Sequence, residues 1–421
     1  MEAVRVFGLV VATCALLRPQ SAAGQPVTIN EAVREALEHN LDLLAERYNL
    51  SLAEARVVQA RLRPNPVFSA GADYQDWLGT GFNAVNAAGP AEVNVRTDFV
   101  LERGGKRQHR VALAESQRAV ARLQFLDATR QLVLNVESVF VEVQLAKENL
   151  LLARENLDAF ERIVEVNTAR VKAGDLAKVE LLRTRVAALQ FRNAVRQAEL
   201  RWDTARRRLQ LLMGRPFPSI DFDVTGSLRR ETRDVSLTQL EDQALRSRPD
   251  LEALRLDQAR SLADLRLQLA HGKVDYTLGI QYHRQYNNAK GNSLGLFFSA
   301  PLPVFNRNQG EIERARAEAR QIEARIRAME ASIRNEVESA YHEYLTAHEL
   351  LEGIERDMVS QARQVRETTE YSYRRGEASF VEFLDAQRAF NDTMQAYNEA
   401  RAAYAKALYL LDSVTGKWIG P

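Results

Sequence analysis

The sequence predicts a mainly α-helical chain, built as an internal tandem repeat, that also carries four short amphipathic β-strands. Apolar residues recur at heptad spacing over very long stretches, and four separate segments alternate apolar and polar residues with period 2. Gly and Pro are sparse, at 20 and 11 of 421 residues, which favours long uninterrupted helices. With 46% hydrophobic and 27% charged residues, the chain is too apolar for disorder.

The two halves of the chain match each other in sequence. Residues of the early part recur 208 positions later: Asp42-Leu43, Phe68, Gly71 and Tyr74 match Asp250-Leu251, Tyr276, Gly279 and Tyr282. Residues of the later part recur 202 positions later: Gly174, Val179-Glu180 and Gly214 match Gly376, Val381-Glu382 and Gly416. We therefore expect a first repeat over 25–214, a link over 215–235, a second repeat over 236–416 and a short tail over 417–421.

Each repeat contains one very long helical pattern followed by a shorter partner. In the first repeat a heptad seam runs from Leu132 to Val171, and a second seam follows Gly174. This arrangement predicts an antiparallel coiled-coil hairpin that turns at Gly174, and the second repeat has an equivalent turn at Gly376. Gly105 and Gly174 are 69 residues apart, so a continuous helix between them would be roughly 100 Å long.

Two further helical features are predicted. Each repeat opens with a shorter helix, over 28–63 and over 238–271. In the outgoing long helix of the second repeat, Met329, Ile333 and Val337 add an extra step of four, which predicts a locally straightened supercoil.

The first 24 residues have the pattern of a secretory signal peptide. Arg5 precedes an apolar run from Val6 to Leu17, and small residues follow it. The run is too short to span a bilayer and no other segment reaches 18 apolar residues, so no transmembrane helix is predicted. Cys14 is the only cysteine, so no disulfide is expected after cleavage. The 57 basic and 56 acidic residues argue against nucleic-acid binding.

The four alternating segments have the length and pattern of membrane-crossing β-strands. They span 66–77, 91–102, 273–286 and 293–303, and Gly- and Asn-rich connections join them into two hairpins. Each strand has an apolar face and a polar face. The residues predicted to line a lumen are Asn94, Arg96, Asp98, Gln281 and His283. An amphipathic sheet covering a soluble core is the alternative, but the signal peptide, the clustered aromatic residues and the long helices favour the membrane.

Four strands cannot close a barrel. In hydrocarbon an open sheet edge leaves N–H and C=O groups unpaired, and each costs several kcal/mol, so other subunits must supply strands. Three copies would give 12 strands, an even number that encloses a water-filled lumen lined by the polar faces. We therefore expect a homotrimer whose strands contact membrane lipid.

The duplicated order of helix, two strands and helical hairpin resembles the TolC-type outer membrane factors of Gram-negative bacteria over essentially the whole mature chain. The stretch from Pro301 to Ile312 is most similar to the heavy-metal-resistance branch, the cobalt-zinc-cadmium and copper-silver type. The resemblance implies a trimer with a 12-stranded β-barrel in the outer membrane and a coiled-coil α-helical barrel in the periplasm. It also implies a periplasmic adaptor and an inner-membrane RND-type pump, for which the trimer is a passive exit duct for heavy-metal cations. Drug efflux and type I secretion channels are the alternatives.

The resemblance also assigns roles at the two hairpin turns. The turn glycines are Gly174 and Gly376, and with Val179 and Val381 they mark where the adaptor docks. The periplasmic tip gate comprises Glu180, Tyr373, Glu382 and Asp385, whose carboxylates would form rings under threefold symmetry. Ala378 stands where a family member with a salt-bridged gate has arginine, so Arg183 or Arg375 would have to replace it. For Glu180 and Glu382, a solvated helix face is the alternative.

The sequence contains no recognisable catalytic or metal-binding pattern. The six histidines include no pair at i, i+4 spacing. The Gly104-Gly105-Lys106 stretch lacks the earlier glycine of a phosphate loop. We therefore expect neither an enzyme nor a bound cofactor. A periplasmic adaptor and a coiled-coil scaffold are the rival classes, although an adaptor normally has one helical hairpin and a scaffold has no use for the strands.

Overall fold

Long helices are joined to one small antiparallel sheet in the computed structural model, which describes residues 26–73, 75, 77–79, 92–218, 221–285 and 291–417. The first half contains α1 (Ile29–His39), α2 (Leu41–Arg61), β1 (Val67–Asp73), β2 (Glu92–Leu101), α3 (Lys106–Ala173) and α4 (Lys178–Leu212). The second half contains α5 (Leu237–Ser247), α6 (Pro249–His271), β3 (Tyr276–Gln285), β4 (Gly291–Ser299), α7 (Gln309–Gly353), a π turn (Ile354–Met358), α8 (Val359–Arg375) and α9 (Phe380–Val414). The prediction of a mainly helical fold with four antiparallel strands is confirmed. The predicted signal peptide, Cys14 and residues 418–421 lie outside the described residues.

The helix α3 is continuous over 68 residues, which corresponds to roughly 100 Å. Glycines in the left-handed conformation bound it, Gly105 with a φ of 73° and Gly174 with a φ of 88°. α4 returns alongside α3, and apolar positions such as Val136, Val143 and Leu209 pack into one cluster. The hairpin therefore forms because the heptad positions of both helices meet on one side.

The outgoing long helix of the second repeat is interrupted, unlike α3. A π turn separates α7 from α8 and accommodates an extra residue without ending the helix. Glu355 in this turn accepts hydrogen bonds from Arg230 at 2.7 Å and from the Tyr397 hydroxyl at 2.8 Å. Around Ile333 and Val337, where the sequence pattern predicts a locally straightened supercoil, α7 stays α-helical. The interruption lies several turns further along the chain.

The helix that opens each repeat is split in two, so the prediction of single helices over 28–63 and 238–271 was wrong. Asn40 separates α1 from α2; its side chain caps α2 and donates to the Leu212 carbonyl at 2.9 Å. In the second repeat Pro249 begins α6 directly after the corresponding break. Each break therefore lies where the opening helices meet the end of a returning helix.

The four strands form one sheet in the order β1-β2-β3-β4. The central pairing of β2 with β3 joins the two repeats, with Val95 opposite Tyr282. Within the described part of the chain β1 and β4 are the edges of the sheet. β4 ends at Ser299, before the predicted end at 303, because Pro301 and Pro303 cannot continue the ladder.

Charged side chains fasten the link between the repeats to the helices. Arg229 and Arg233 bind Asp412 of α9 at 2.8 and 2.6 Å. Asp412 is 6% exposed, so its two partners offset the loss of hydration. Glu137 of α3 lies beside this cluster, and burial raises its pKa to about 8, with the positive charge of Arg229 opposing the shift. At neutral pH the Glu137 carboxyl is therefore mostly protonated, which limits negative charge around Asp412.

The substitution Gly214→Ala is expected to destabilise the first repeat. Gly214 has a φ of 79°, and an added Cβ would lie 2.2 Å from the carbonyl oxygen of His39, at the end of α1. Left-handed backbone strain alone costs an alanine roughly 1–2 kcal/mol, and the steric overlap adds to it. Thermal unfolding of the detergent-solubilised protein, followed by circular dichroism, should show a lower midpoint.

The matched control is Gly310→Ala in α7, where an added Cβ meets no atom within 4 Å. Alanine is favoured over glycine in a helix, so this variant should unfold at the wild-type temperature or slightly above it. An equal drop in both variants would contradict the explanation from strain and overlap at Gly214.

Candidate functional site

The two helical hairpins end side by side. α3 and α4 turn at Gly174, and α8 and α9 turn at Gly376, which has a φ of 81°. One apolar cluster packs the two ends together, with members from both hairpins: Phe160, Ile163, Ala187, Ala188, Tyr373, Phe380 and Phe383. The Phe383 ring centroid lies 5.1 Å from that of Tyr373 and 5.5 Å from that of Phe160. Hydrophobic contact therefore couples the ends of the two hairpins.

Tyr373, which the sequence resemblance places in the tip gate, is buried between the hairpins. Its hydroxyl accepts a hydrogen bond from the Asn167 amide at 2.7 Å, and the same amide donates to Thr184 at 2.9 Å. The ring is 4% exposed. Tyr373 thus fastens the second hairpin to the first and does not present its ring at the surface.

The three tip carboxylates have different contacts. Glu180 pairs with Arg183, one turn along α4, at 2.9 Å. Glu382 closes a capping box at the start of α9: its carboxylate accepts from the Ser379 N–H at 2.7 Å, and the Ser379 hydroxyl accepts from the Glu382 N–H. Hydrogen bonds from Ser379 lower the pKa of Glu382. Asp385 is exposed and has no ion pair among the described residues. A pattern of Ser followed by Glu three residues later is a sequence signal for this cap.

Neither arginine proposed as a replacement lock bridges the two hairpins. Arg183 binds Glu180 on its own helix, and the Arg375 guanidinium lies 4.5 Å from the ring centroid of Tyr371 on α8. Both contacts are local and near the surface, so each contributes little to stability. The expectation that either arginine replaces the one missing at Ala378 has no contact between the hairpins to support it.

An apolar groove of about 410 Å³ lies between the starts of α4 and α9. Its apolar lining comprises Val179, Leu182, Val186, Ala187, Phe380, Val381 and Leu384. Val179 and Val381, the predicted docking positions, are 51% and 54% exposed. The groove brings the two valines, one from each repeat, to a single surface that an apolar ridge of a partner helix could fill.

The sheet has two chemically different faces. The five polar residues predicted from alternation share one face, because alternate positions on paired strands point the same way. Register confirms their proximity, with Asn94 opposite His283 and Arg96 opposite Gln281. On the other face, large apolar side chains are between 65% and 81% exposed: Phe68, Leu294, Leu296 and Phe298. This face is suited to contact with lipid.

Side chains on the polar face bind one another along the sheet. Arg96 pairs with Asp98 at 2.8 Å, and the His283 Nε2 lies 3.3 Å from the Glu92 carboxylate. The guanidinium of Arg96 also lies 4.3 Å from the ring centroid of Phe297. Phe297 was missing from the predicted lumen residues. Its signal was available, since consecutive phenylalanines at 297 and 298 must occupy opposite faces of a strand.

Over the ranges that the structure describes, no group of three or more His, Cys, Asp or Glu side chains is placed to hold a metal ion. No helix in those ranges combines the length and the apolar character needed to cross a membrane.

The sequence profile of one protein family, the outer membrane efflux proteins, matches both repeats, over residues 32–215 and 240–417. The chain belongs to this family. It is therefore an outer membrane efflux protein.

Relatives of this efflux protein match nearly its whole length. The cobalt-zinc-cadmium resistance protein CzcC of Cupriavidus metallidurans is 24% identical over 374 residues, 88% of this chain and 85% of CzcC. The probable outer membrane lipoprotein SilC of Salmonella typhimurium is 23% identical over 418 residues, 93% of this chain and 86% of SilC. A crystal structure of CusC superposes with a TM-score of 0.74 at 18% identity, covering 92% of each chain. The efflux protein therefore shares the fold of CusC.

The substitution Phe383→Ala is expected to loosen both hairpin ends at once. Phe383 is 1% exposed and contacts rings from both hairpins, and truncating such a phenylalanine costs about 3–5 kcal/mol. Hydrogen exchange measured by mass spectrometry should accelerate in peptides around 160–190 and around 370–390. The control is Val381→Ala, which shortens an exposed side chain on the same helix and should leave exchange unchanged. Acceleration confined to the second hairpin would contradict the coupling.

Proposed function

We propose that this efflux protein is the homotrimeric exit duct of a tripartite system, which passively conducts heavy-metal cations from an inner-membrane RND pump and a periplasmic adaptor to the outside. One observation carries the proposal: surfaces that are uncovered on one repeat are covered at matching positions of the other. In a duplicated chain, such a difference marks the contact that a neighbouring copy supplies in a ring.

The sheet is the first such case. β2 of the first repeat pairs with β3 of the second, while no strand among the described residues pairs with the outer edge of β1 or of β4. In the duplication β2 corresponds to β4, and β1 corresponds to β3. We therefore expect β4 of one copy to pair with β1 of the next copy, as β2 pairs with β3 within the chain. Three copies joined in this way would close 12 strands and leave no edge unpaired.

The helix α2 is the second case. Six heptad positions along it, and Leu62 directly after it, are exposed: Leu41, Ala45, Tyr48, Leu52, Ala55, Gln59 and Leu62. Their counterparts 208 residues later on α6 are buried or half-buried: Pro249, Ala253, Leu256, Arg260, Ala263, Leu267 and Ala270. α6 contacts both α7 and α3, whereas α2 contacts α3 through its opposite face. The exposed seam of α2 therefore lacks the neighbour that α3 provides for α6, and α7 of another copy is the matching element.

The returning helix α4 is the third case. Leu200 and Leu211 are 68% and 65% exposed. Their counterparts 202 residues later, Ala402 and Ser413, are buried where α9 packs against α3. The α7 helix of the same neighbouring copy would cover the two leucines. The sheet and the helices therefore indicate the same ring of copies.

At the periplasmic end, we assign adaptor docking to the hairpin turns at Gly174 and Gly376 and to the groove that holds Val179 and Val381. Support comes from the groove's apolar lining and the exposure of both valines. Glu180, Glu382 and Asp385 would form acidic rings in the trimer, which attract cations. Of the three, Asp385 has the least constrained carboxylate, because the other two contact Arg183 and Ser379.

Heavy-metal cargo is supported by the relatives, since CzcC is named for cobalt, zinc and cadmium resistance. A duct needs no tight metal site, because cargo that is held does not pass through. Organic compounds and polypeptides are the alternative cargo, and a test of metal content separates them from cations.

The substitution Leu52→Asp is expected to abolish the trimer. It places three charges in a seam that the ring would bury, and an unpaired buried charge costs several kcal/mol. Size-exclusion chromatography with light scattering in detergent should give a trimer for the wild type and a monomer for the variant, with unchanged helix content by circular dichroism.

The matched control is Asn49→Asp, which introduces the same charge at an exposed position of α2 outside the seam. It should stay trimeric. A soluble monomeric wild type would favour an adaptor or a scaffold and exclude the proposed duct. A trimer that tolerates Leu52→Asp would disprove the assignment of this seam to the interface.

Deletion of the gene should raise the cellular content of one class among zinc, cobalt, cadmium and copper. Elemental analysis compares the deletion strain with its complemented parent under challenge by single metals, in a background that lacks redundant exit ducts. Complementation with the Leu52→Asp variant should fail, and complementation with Asn49→Asp should succeed. Unchanged metal contents would reject metal cargo and leave organic compounds or polypeptides.

A further inference from the structure

Three side chains from different places in the sheet meet over one glycine of β3. Arg96 and Asp98 are two residues apart on β2, and the Arg96 Nε donates to the Asp98 carboxylate at 2.9 Å. Phe297 lies on β4, two strands away, with its ring centroid 4.3 Å from the guanidinium. Gly279 stands between them, since it pairs with Asp98 on one side and with Phe297 on the other. The guanidinium therefore lies along the sheet and is covered by contacts on both sides.

A side chain at position 279 would displace the Arg96–Asp98 pair. An added Cβ would lie 2.3 Å from the Asp98 Oδ1 and 3.1 Å from the Arg96 Nε. The backbone of Gly279 is not in the left-handed region, so the requirement comes from the space that its two neighbours occupy. Arg96 and Asp98 are 29% and 20% exposed, which shows that the pair rests against the sheet.

We propose that Gly279 and Asp98 together hold Arg96 flat against the barrel wall, and that this contact makes the lumen selective for small cations. The inference rests on the proposed function, because it requires the polar face of the sheet to line a pore. It assigns a positioning role to Gly279 and a selectivity role to Asp98, and the conducted species are small hydrated cations.

The charges on the polar face explain why holding Arg96 against the wall would favour cations. Its described residues include three carboxylates, Asp73, Glu92 and Asp98, and one arginine, Arg96. While Asp98 neutralises Arg96, the remaining carboxylates attract cations into the lumen. If Arg96 were released, its long side chain would extend from the wall, and three such side chains would form a positive ring in the path of a cation.

Purified trimers in planar lipid bilayers, under a potassium chloride gradient, provide the test. The ratio of potassium to chloride permeability and the single-channel conductance are measured together. The wild type should prefer potassium. Asp98→Asn frees Arg96 and should lower the permeability ratio, whereas Arg96→Gln exposes Asp98 and should raise it.

The decisive variant is Gly279→Ala, which changes no charge. If Arg96 is held by the space above Gly279, this variant should lower both the permeability ratio and the conductance, and adding Arg96→Gln should restore the conductance. Its control is Gly71→Ala on the same face, where an added Cβ meets the neutral Asn94 amide at 2.9 Å. That variant should keep the wild-type permeability ratio.

Each outcome decides the matter. A trimeric Gly279→Ala with wild-type permeability would overturn the positioning role. If that variant does not assemble, Asp98→Asn decides alone, and an unchanged permeability ratio there would overturn the selectivity role. The Phe383→Ala variant, whose hairpin ends are expected to be loosened, is measured beside the wild type. If neither the wild-type trimer nor a trimeric Phe383→Ala variant conducts ions, the proposed function itself fails.

Discussion

The N–H and C=O groups along the outer edges of β1 and β4 need hydrogen-bond partners, and the rest of the molecule is arranged so that a neighbouring copy can supply them. In the proposed trimer the exposed apolar face of these strands lies in hydrocarbon, where water cannot satisfy an open edge. In the proposed trimer a ring of copies pairs both edges at once. A ring of strands also imposes a ring of helices, because each strand pair continues directly into α3 or α7. The uncovered surfaces of α2 and α4 follow from the same closure as the two strand edges.

Duplication lets one chain supply both versions of this contact, and the two versions differ chemically. Where α6 packs inside the chain, the seam contains Arg260, which pairs with Asp257 and Glu318. At the matching position on α2 stands Leu52, with Tyr48 one turn before it. A contact between separate copies must offset the translational and rotational freedom lost on association, and large apolar or aromatic side chains do so best. The contact within a chain has no such requirement, so the seam of α6 can include an arginine whose ion pairs lie on α6 and α7.

Periodicity predicts the helices and the strand faces because it reports burial directly. The heptad seam from Leu132 to Val171 requires a partner helix, and alternation in β2 and β3 separates Arg96 and His283 from the apolar side. Each feature that periodicity does not predict depends on a contact with a residue of another helix or strand. The break at Asn40 exists because its amide reaches the Leu212 carbonyl, 172 residues away. The burial of Tyr373 depends in the same way on Asn167 and Phe383, which belong to other helices. The role of Phe297 depends on a guanidinium two strands away.

Packing and the Asn167 amide hold the two hairpin ends of this efflux protein together. With alanine at position 378, and with Arg183 and Arg375 engaged on their own helices, aromatic rings and the Asn167 amide join the hairpins nearest their turns. Further from the turns, Gln387 donates to Asn156 and Arg366 pairs with Glu155 at 3.4 Å. Salt weakens exposed ion pairs but leaves buried aromatic contacts intact. Moving one hairpin past the other would expose Phe160 and Phe383 to water, and the free energy of that exposure depends on area and not on ionic strength. An adaptor that inserts apolar side chains into the neighbouring groove would lower this cost by covering the same region. Docking and opening would then be linked through shared apolar surface.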